Sequence, residues 1–99
     1  MNTSVNSYAQ MDTQELLEIN LSTQDDSNNI TMALDRGDQL IDELNQETSS
    51  IEQQIIDNSK TQADAKLKTV KDLKEKRRIN KTKCTMIENK VTRLNALWQ

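Results

Sequence analysis

Proline, histidine and phenylalanine are absent from the 99 residues, and glycine, cysteine, tryptophan and tyrosine occur once each. With no Pro and one Gly, the chain has almost none of the residues that punctuate turns or break helices. Aromatic residues make up 2% and hydrophobic residues 33% of the sequence. A chain of this size buries only a modest share of its surface in any fold, so this composition excludes a thick, self-sufficient core. Two solutions remain: partial disorder, or a narrow apolar seam shared between helices. Abundant Gln, Asn, Lys, Glu and Leu without helix breakers favour the second from about residue 27 onward.

The missing imidazoles remove most catalytic chemistry. There is no His base, no Cys/His pair and no zinc ligand set. No GxGxxG, Walker loop or HExxH is present either. The carboxylates read as solvated helix faces. The chain is therefore expected not to be an enzyme and to need no cofactor, metal or small-molecule substrate. No run of eighteen apolar residues exists, and the opening stretch MNTSVNSYAQ is polar, so neither a membrane span nor a secretory signal is expected. Asn2 excludes myristoylation. A lone Cys gives no internal disulfide and fits a reducing compartment. The expected location is the cytoplasm, with peripheral attachment to vesicle or organelle membranes as an option.

The net charge of −3 hides an asymmetry. Residues 1–60 hold twelve acids and two bases, whereas residues 61–99 hold four acids and eleven bases. The acidic half can face the basic half of a partner, or of the same chain in a hairpin, or both can be solvated faces.

Residues 1–11 read as a disordered tail. At Asp12-Thr13-Gln14-Glu15 a capping-box pattern precedes Leu16, Leu17, Ile19 and Leu21, which allows a short helix over 12–22. Residues 22–29 form a polar break with N-cap residues. From there Ile30, Leu34, Gly37, Ile41, Leu44, Thr48, Ile51 and Ile55 are spaced alternately four and three apart, a heptad seam within an acidic segment over 27–57. Leu40 and Ile56 widen the stripe. The polar stretch DNSKTQAD, residues 57–64, interrupts it. A second seam runs through a basic segment over 64–98: Val70, Leu73, Arg77, Asn80, Cys84, Ile87, Val91, Leu94 and Trp98, offset by one residue from the first. The expected fold class is all-α. Either one extended coiled-coil helix of roughly 100 Å, at about 1.5 Å per residue, carries a stutter near 57–64, or an antiparallel hairpin turns there. The continuous helix is the favoured form, with its seam residues partly exposed and awaiting partner helices.

Several single residues stand out. Gly37 lies on the seam as a tolerated defect or as a point where helices approach closely. Glu47 and Thr48 interrupt the aliphatic row, either as a solvated neighbour and a mild core residue, or with Glu47 as a polar layer that sets register. Cys84 follows the basic run of 66–83, which holds nine bases. It is either a small buried seam residue or a lipidation site on a peripheral membrane contact through 66–84. Nucleic acid is not expected, because nothing aromatic lies inside the basic run. Trp98 reads as the cap of an apolar contact with a partner.

The segment GDQLIDELNQETSSIEQ, residues 37–53, resembles the first helix of the two-motif, synaptosome-associated SNARE family. Gly37 matches that family's Gly, Leu40-Ile41 and Leu44 its aliphatic layers, Asn45 to Thr48 its central segment, and Ile51 the next layer. MALDRGD, residues 32–38, resembles a stretch of the same family's second helix in another register. The resemblance implies a helix that zippers with SNARE partners in vesicle docking and membrane fusion. In the family a central Gln meets an Arg from another helix; here Glu47 takes that position. A Cys-bearing linker follows the family's first helix, and Cys84 lies at a comparable distance, which implies lipidation there. The other expectation is a structural coiled-coil subunit of a multiprotein adaptor in vesicle or lysosome-related trafficking.

Overall fold

The computed structural model describes residues 8–60 and 63–98. Three helices account for most of them: α1, Thr13–Glu18; α2, Ser27–Ser59; and α3, Asp64–Asn95, which runs into a 3-10 turn at Ala96–Trp98. No strand occurs among the described residues. The all-α expectation holds, but the long continuous helix does not. α2 and α3 fold back on each other as an antiparallel hairpin, and the molecule extends 57 Å rather than the length of a single rod.

The reason lies in the register. A continuous helix would carry the second seam about 100° around from the line of the first, since each residue turns the helix by that angle. One straight partner could not cover both. Reversing the chain lets the two seams cover one another. It also sets α2, with seven acids and one base, beside α3, with four acids and eleven bases. The turn needs no Gly or Pro. Near the end of α2 the Asn58 amide donates to the Gln54 carbonyl at 2.7 Å, and the Lys60 N–H bonds to the Asn58 carbonyl. Such local bonds compete with helix continuation. Ala63 then begins α3, accepting from Lys66 at 2.9 Å and Leu67 at 3.1 Å, with Asp64 placed in the first turn where the helix dipole favours an anion.

At the other end the capping box forms as its residues suggest. Asp12 accepts from the Glu15 N–H at 2.8 Å, and Glu15 accepts from the Asp12 N–H at 3.2 Å. This short helix aims Leu16, fully buried, into the seam between α2 and α3. The polar break is organised by Asp25, which accepts from the Ser22 N–H at 2.6 Å, and by Asp26, which caps α2 through the Asn28 N–H at 2.8 Å. Of the expected disordered tail, residues 1–7 lie outside the described residues. Tyr8 and Met11, by contrast, are buried in the core with Leu16, Ala33, Leu40, Ile87 and Leu94. Toward the turn, a second small cluster joins Ile51 and Ile55 to Val70 and Leu73.

Candidate partner-binding surface

The two seams, read from the sequence as surfaces for other chains, meet each other. On α2, Ile30, Gly37, Ile51 and Ile55 are buried, while Leu34, Ile41, Leu44 and Thr48 are half-buried. On α3, Val70, Leu73, Asn80, Cys84, Ile87 and Leu94 are buried, Arg77 and Val91 half-buried, and Trp98 exposed. Ala33 and Leu40 are also buried, one residue to the side of the α2 seam, because α1 and Tyr8 lean against that flank. Leu97 rather than Trp98 packs on the core.

Gly37 is a point of close approach. A Cβ placed there would stand 2.5 Å from Val91 Cγ2, 3.7 Å from Leu16 Cδ2 and 3.8 Å from Ile87 Cγ2. Three elements converge on this one position, and only a residue without a side chain admits Val91. Further along, Cys84 Sγ donates to Asn45 Oδ1 at 3.7 Å, and Lys81 pairs with Glu52 at 3.8 Å. The register of these pairs sets Thr48 level with Asn80. Both are polar residues in the middle of the seam, and Thr48 Oγ1 and Asn80 Nδ2 are buried without a hydrogen-bond partner among the described residues. Glu47 is exposed beside this layer, so the polar interruption of the packed seam falls on Thr48.

The hairpin has two unlike sides. On one, the N-terminal segment lies across both helices. Arg36 Nε donates to the Met11 carbonyl at 2.7 Å, Lys90 Nζ donates to the Ile19 carbonyl, and Leu17 borders a shallow groove with Lys83 and Met86. Burial pushes the Lys90 ammonium below its ordinary pKa, with Arg93 adding to the effect. The other side is uncovered. The Asn45–Cys84 and Glu52–Lys81 contacts lie along it, and the seven-residue repeat puts Asp38, Leu67 and Lys74 on the same stripes. Leu67 is 56% and Ile56 53% exposed.

The basic run of 66–83 is solvated apart from Val70, Leu73, Arg77 and Asn80, and even Ile79 is 39% exposed. Cys84 is not on that surface. It is buried, and burial first, then the Glu88 carboxylate, raises its thiol pKa. The thiolate is the reactive form. Cys84 in the folded chain is therefore expected to react with Ellman's reagent at pH 8 at least tenfold more slowly than in the urea-unfolded chain. A folded-state rate equal to the unfolded one would show that the α2–α3 seam does not shield the sulfur. The sign for stability follows: a raised folded pKa favours the thiol form, so its contribution is full below the unfolded pKa and is lost as pH rises through the folded one.

Among the described residues no group of His, Cys, Asp and Glu is placed to hold a metal, and no helix is long and apolar enough to cross a membrane. No protein-family model, curated protein or solved structure matches the chain.

Proposed function

We propose that this chain is a coiled-coil interaction protein that contributes its helices to a bundle with partner helices. The observation that carries this reading is the centre of the seam. In a narrow aliphatic core, Thr48 and Asn80 each keep a buried polar atom without a partner. A buried polar group of this kind costs stability in an isolated hairpin, and polar residues at core positions of coiled coils serve to specify register and partner choice.

Two finer readings rest on different observations. The SNARE-like reading takes its support from the resemblance of Gly37 to Ile51 and from the polar layer inside that same segment. Under it, α2 leaves α3 and zippers with three other helices to draw vesicle and target membranes together, and the freed Cys84 becomes open to lipidation. The adaptor reading takes its support from closure. Both seams are already occupied, and α1 clasps the two long helices, so the intact hairpin joins a fixed assembly through its outer faces. The adaptor reading needs no rearrangement of the hairpin, whereas the SNARE-like reading opens the seam and frees Thr48 Oγ1 and Asn80 Nδ2 to find partners.

One mixing experiment separates them. The full chain is incubated with syntaxin-type and vesicle-type SNARE helices and run on SDS gels without boiling. An SDS-resistant complex that Leu44→Asp abolishes supports the SNARE-like reading. No such complex, together with stoichiometric co-purification of a constant set of small helical proteins that resists Leu44→Asp no better than the hairpin itself does, supports the adaptor reading. Absence of any helical partner in both assays overturns the proposal.

A further inference from the structure

We infer that two copies of this chain stack through their uncovered sides into a four-helix bundle, α2 of each copy lying against α3 of the other. The inference deepens the interaction reading above by naming the partner as a second copy, and two observations on the uncovered side carry it.

The first is charge. Along the stripes of the uncovered side α2 carries Asp38 and Glu52, and α3 carries Lys74 and Lys81. Two hairpins can stack face to face about a two-fold axis across the helices or along them. The first choice sets α2 on α2 and α3 on α3, like charge on like. The second sets acidic α2 on basic α3 at both contacts, keeps neighbouring helices antiparallel, and closes the assembly at two copies. Charge therefore selects the axis along the helices, and opposed potentials of this kind fix both register and partner.

The second is what the uncovered side leaves without a neighbour. Leu67 and Ile56 are more than half exposed, and Leu34 and Ile41 are only half-buried although they belong to the seam. Arg77 stands on the seam, half-buried, and forms no ion pair among the described residues. Its counterpart in the stacked arrangement is the acidic stripe of the second α2, at the height of Glu52. The molecule measures 57 × 25 × 17 Å, long enough for a side-on contact of the roughly 800 Å² per partner of a standard stable interface.

Sedimentation equilibrium on the full chain tests this. The expected mass is twice 11.4 kDa, with dissociation promoted by salt because the stacked contacts are ionic at their margins. Leu67→Glu and Lys74→Glu change exposed side chains that make no hydrogen bond or ion pair among the described residues. Each is expected to weaken the dimer at least tenfold while leaving the far-ultraviolet circular dichroism unchanged. Met86→Glu, an equally exposed position on the side that α1 occupies, is expected to leave the dimer intact. A mass of one chain at every concentration overturns the inference. So does a mass above two chains, or a dimer that Met86→Glu breaks and Leu67→Glu does not. A chain that is monomeric alone yet captures SNARE or adaptor helices leaves the interaction reading standing and removes only the second copy.

Discussion

Ile87→Asp is expected to abolish the helical fold in dilute solution. Ile87 and Leu16 are the two largest side chains with no exposed surface at all, and both belong to the main core with Ala33, Leu40 and Leu94. Truncating such a residue to Ala costs roughly 2–5 kcal/mol. Aspartate adds a carboxylate inside this apolar cluster, and burying a charge there costs several kcal/mol more. Small domains have about 5–15 kcal/mol to lose, and a hairpin with two small clusters belongs at the low end. The helical signal at 222 nm should therefore fall to that of an unfolded chain at 25 °C. Ile87→Val is the control, with a loss of about 0.5–1.5 kcal/mol and the fold intact. If Ile87→Asp retained a cooperative thermal transition and near-native ellipticity, the packing of α3 on α1 and α2 would have to differ from that described.

Gly37→Leu is the second large effect, and its sign runs against helix propensity. In an exposed helix, replacing Gly gains nearly 1 kcal/mol. Here the new Cβ would meet Val91 Cγ2 at 2.5 Å, and Val cannot swing aside because its branched Cβ fixes χ1. Leucine adds three further carbons where Leu16 and Ile87 already stand at ordinary contact distance. Overpacking of this kind typically costs 1–3 kcal/mol and sometimes more, and here it also forces apart helices whose remaining contacts depend on closeness. We expect a net loss of about 2–4 kcal/mol, which for a chain of this length lowers Tm by roughly 10 °C or more. The double-mutant cycle separates a steric cause from any other. Gly37→Ala should be destabilising in the native background but neutral or stabilising beside Val91→Ala, which removes the obstructing methyl groups. Equal effects in both backgrounds would refute the close approach.

Much of this was legible in the sequence because heptad spacing is a strong signal. The second seam shows residue by residue from Val70 to Leu94, whereas the polar break at 57–64 shows an interruption without deciding between a stutter and a turn. What spacing does not encode is the destination of a seam. Ile30 to Ile55 present the same stripe whether the facing helix belongs to another chain or to residues 70–94 of this one. The one-residue offset between the seams, present in the sequence from the start, was the clue that one straight helix could not serve both. Ala33, Tyr8 and Met11 escape the heptad spacing for a different reason, and Leu40 shows in it only as a widening of the stripe. They are buried by a third element crossing the hairpin, and a contact between residue 16 and residue 87 leaves no periodic trace in either segment. The sequence points to Glu47 as the polar layer, but Glu47 is exposed and Thr48 takes the place in the seam; spacing does not pair Thr48 with Asn80, because that requires the antiparallel register.

The N-terminal clasp has a consequence for the order of events along the chain. α2 and α3 are joined by a short turn, so their contacts can form progressively outward from it at little cost in loop closure. α1 reaches α3 only across the whole length of the hairpin. Its docking must await a formed Gly37–Val91 crossing, and with six residues it cannot persist alone. The last piece to assemble is the first to detach, so amide exchange in α1 should outpace exchange at the centres of α2 and α3, and equal protection across all three would contradict it. Heat, denaturant or a competing helix would thus meet the molecule first at Leu16, whose departure uncovers the wide end of the hairpin while the turn end remains zipped.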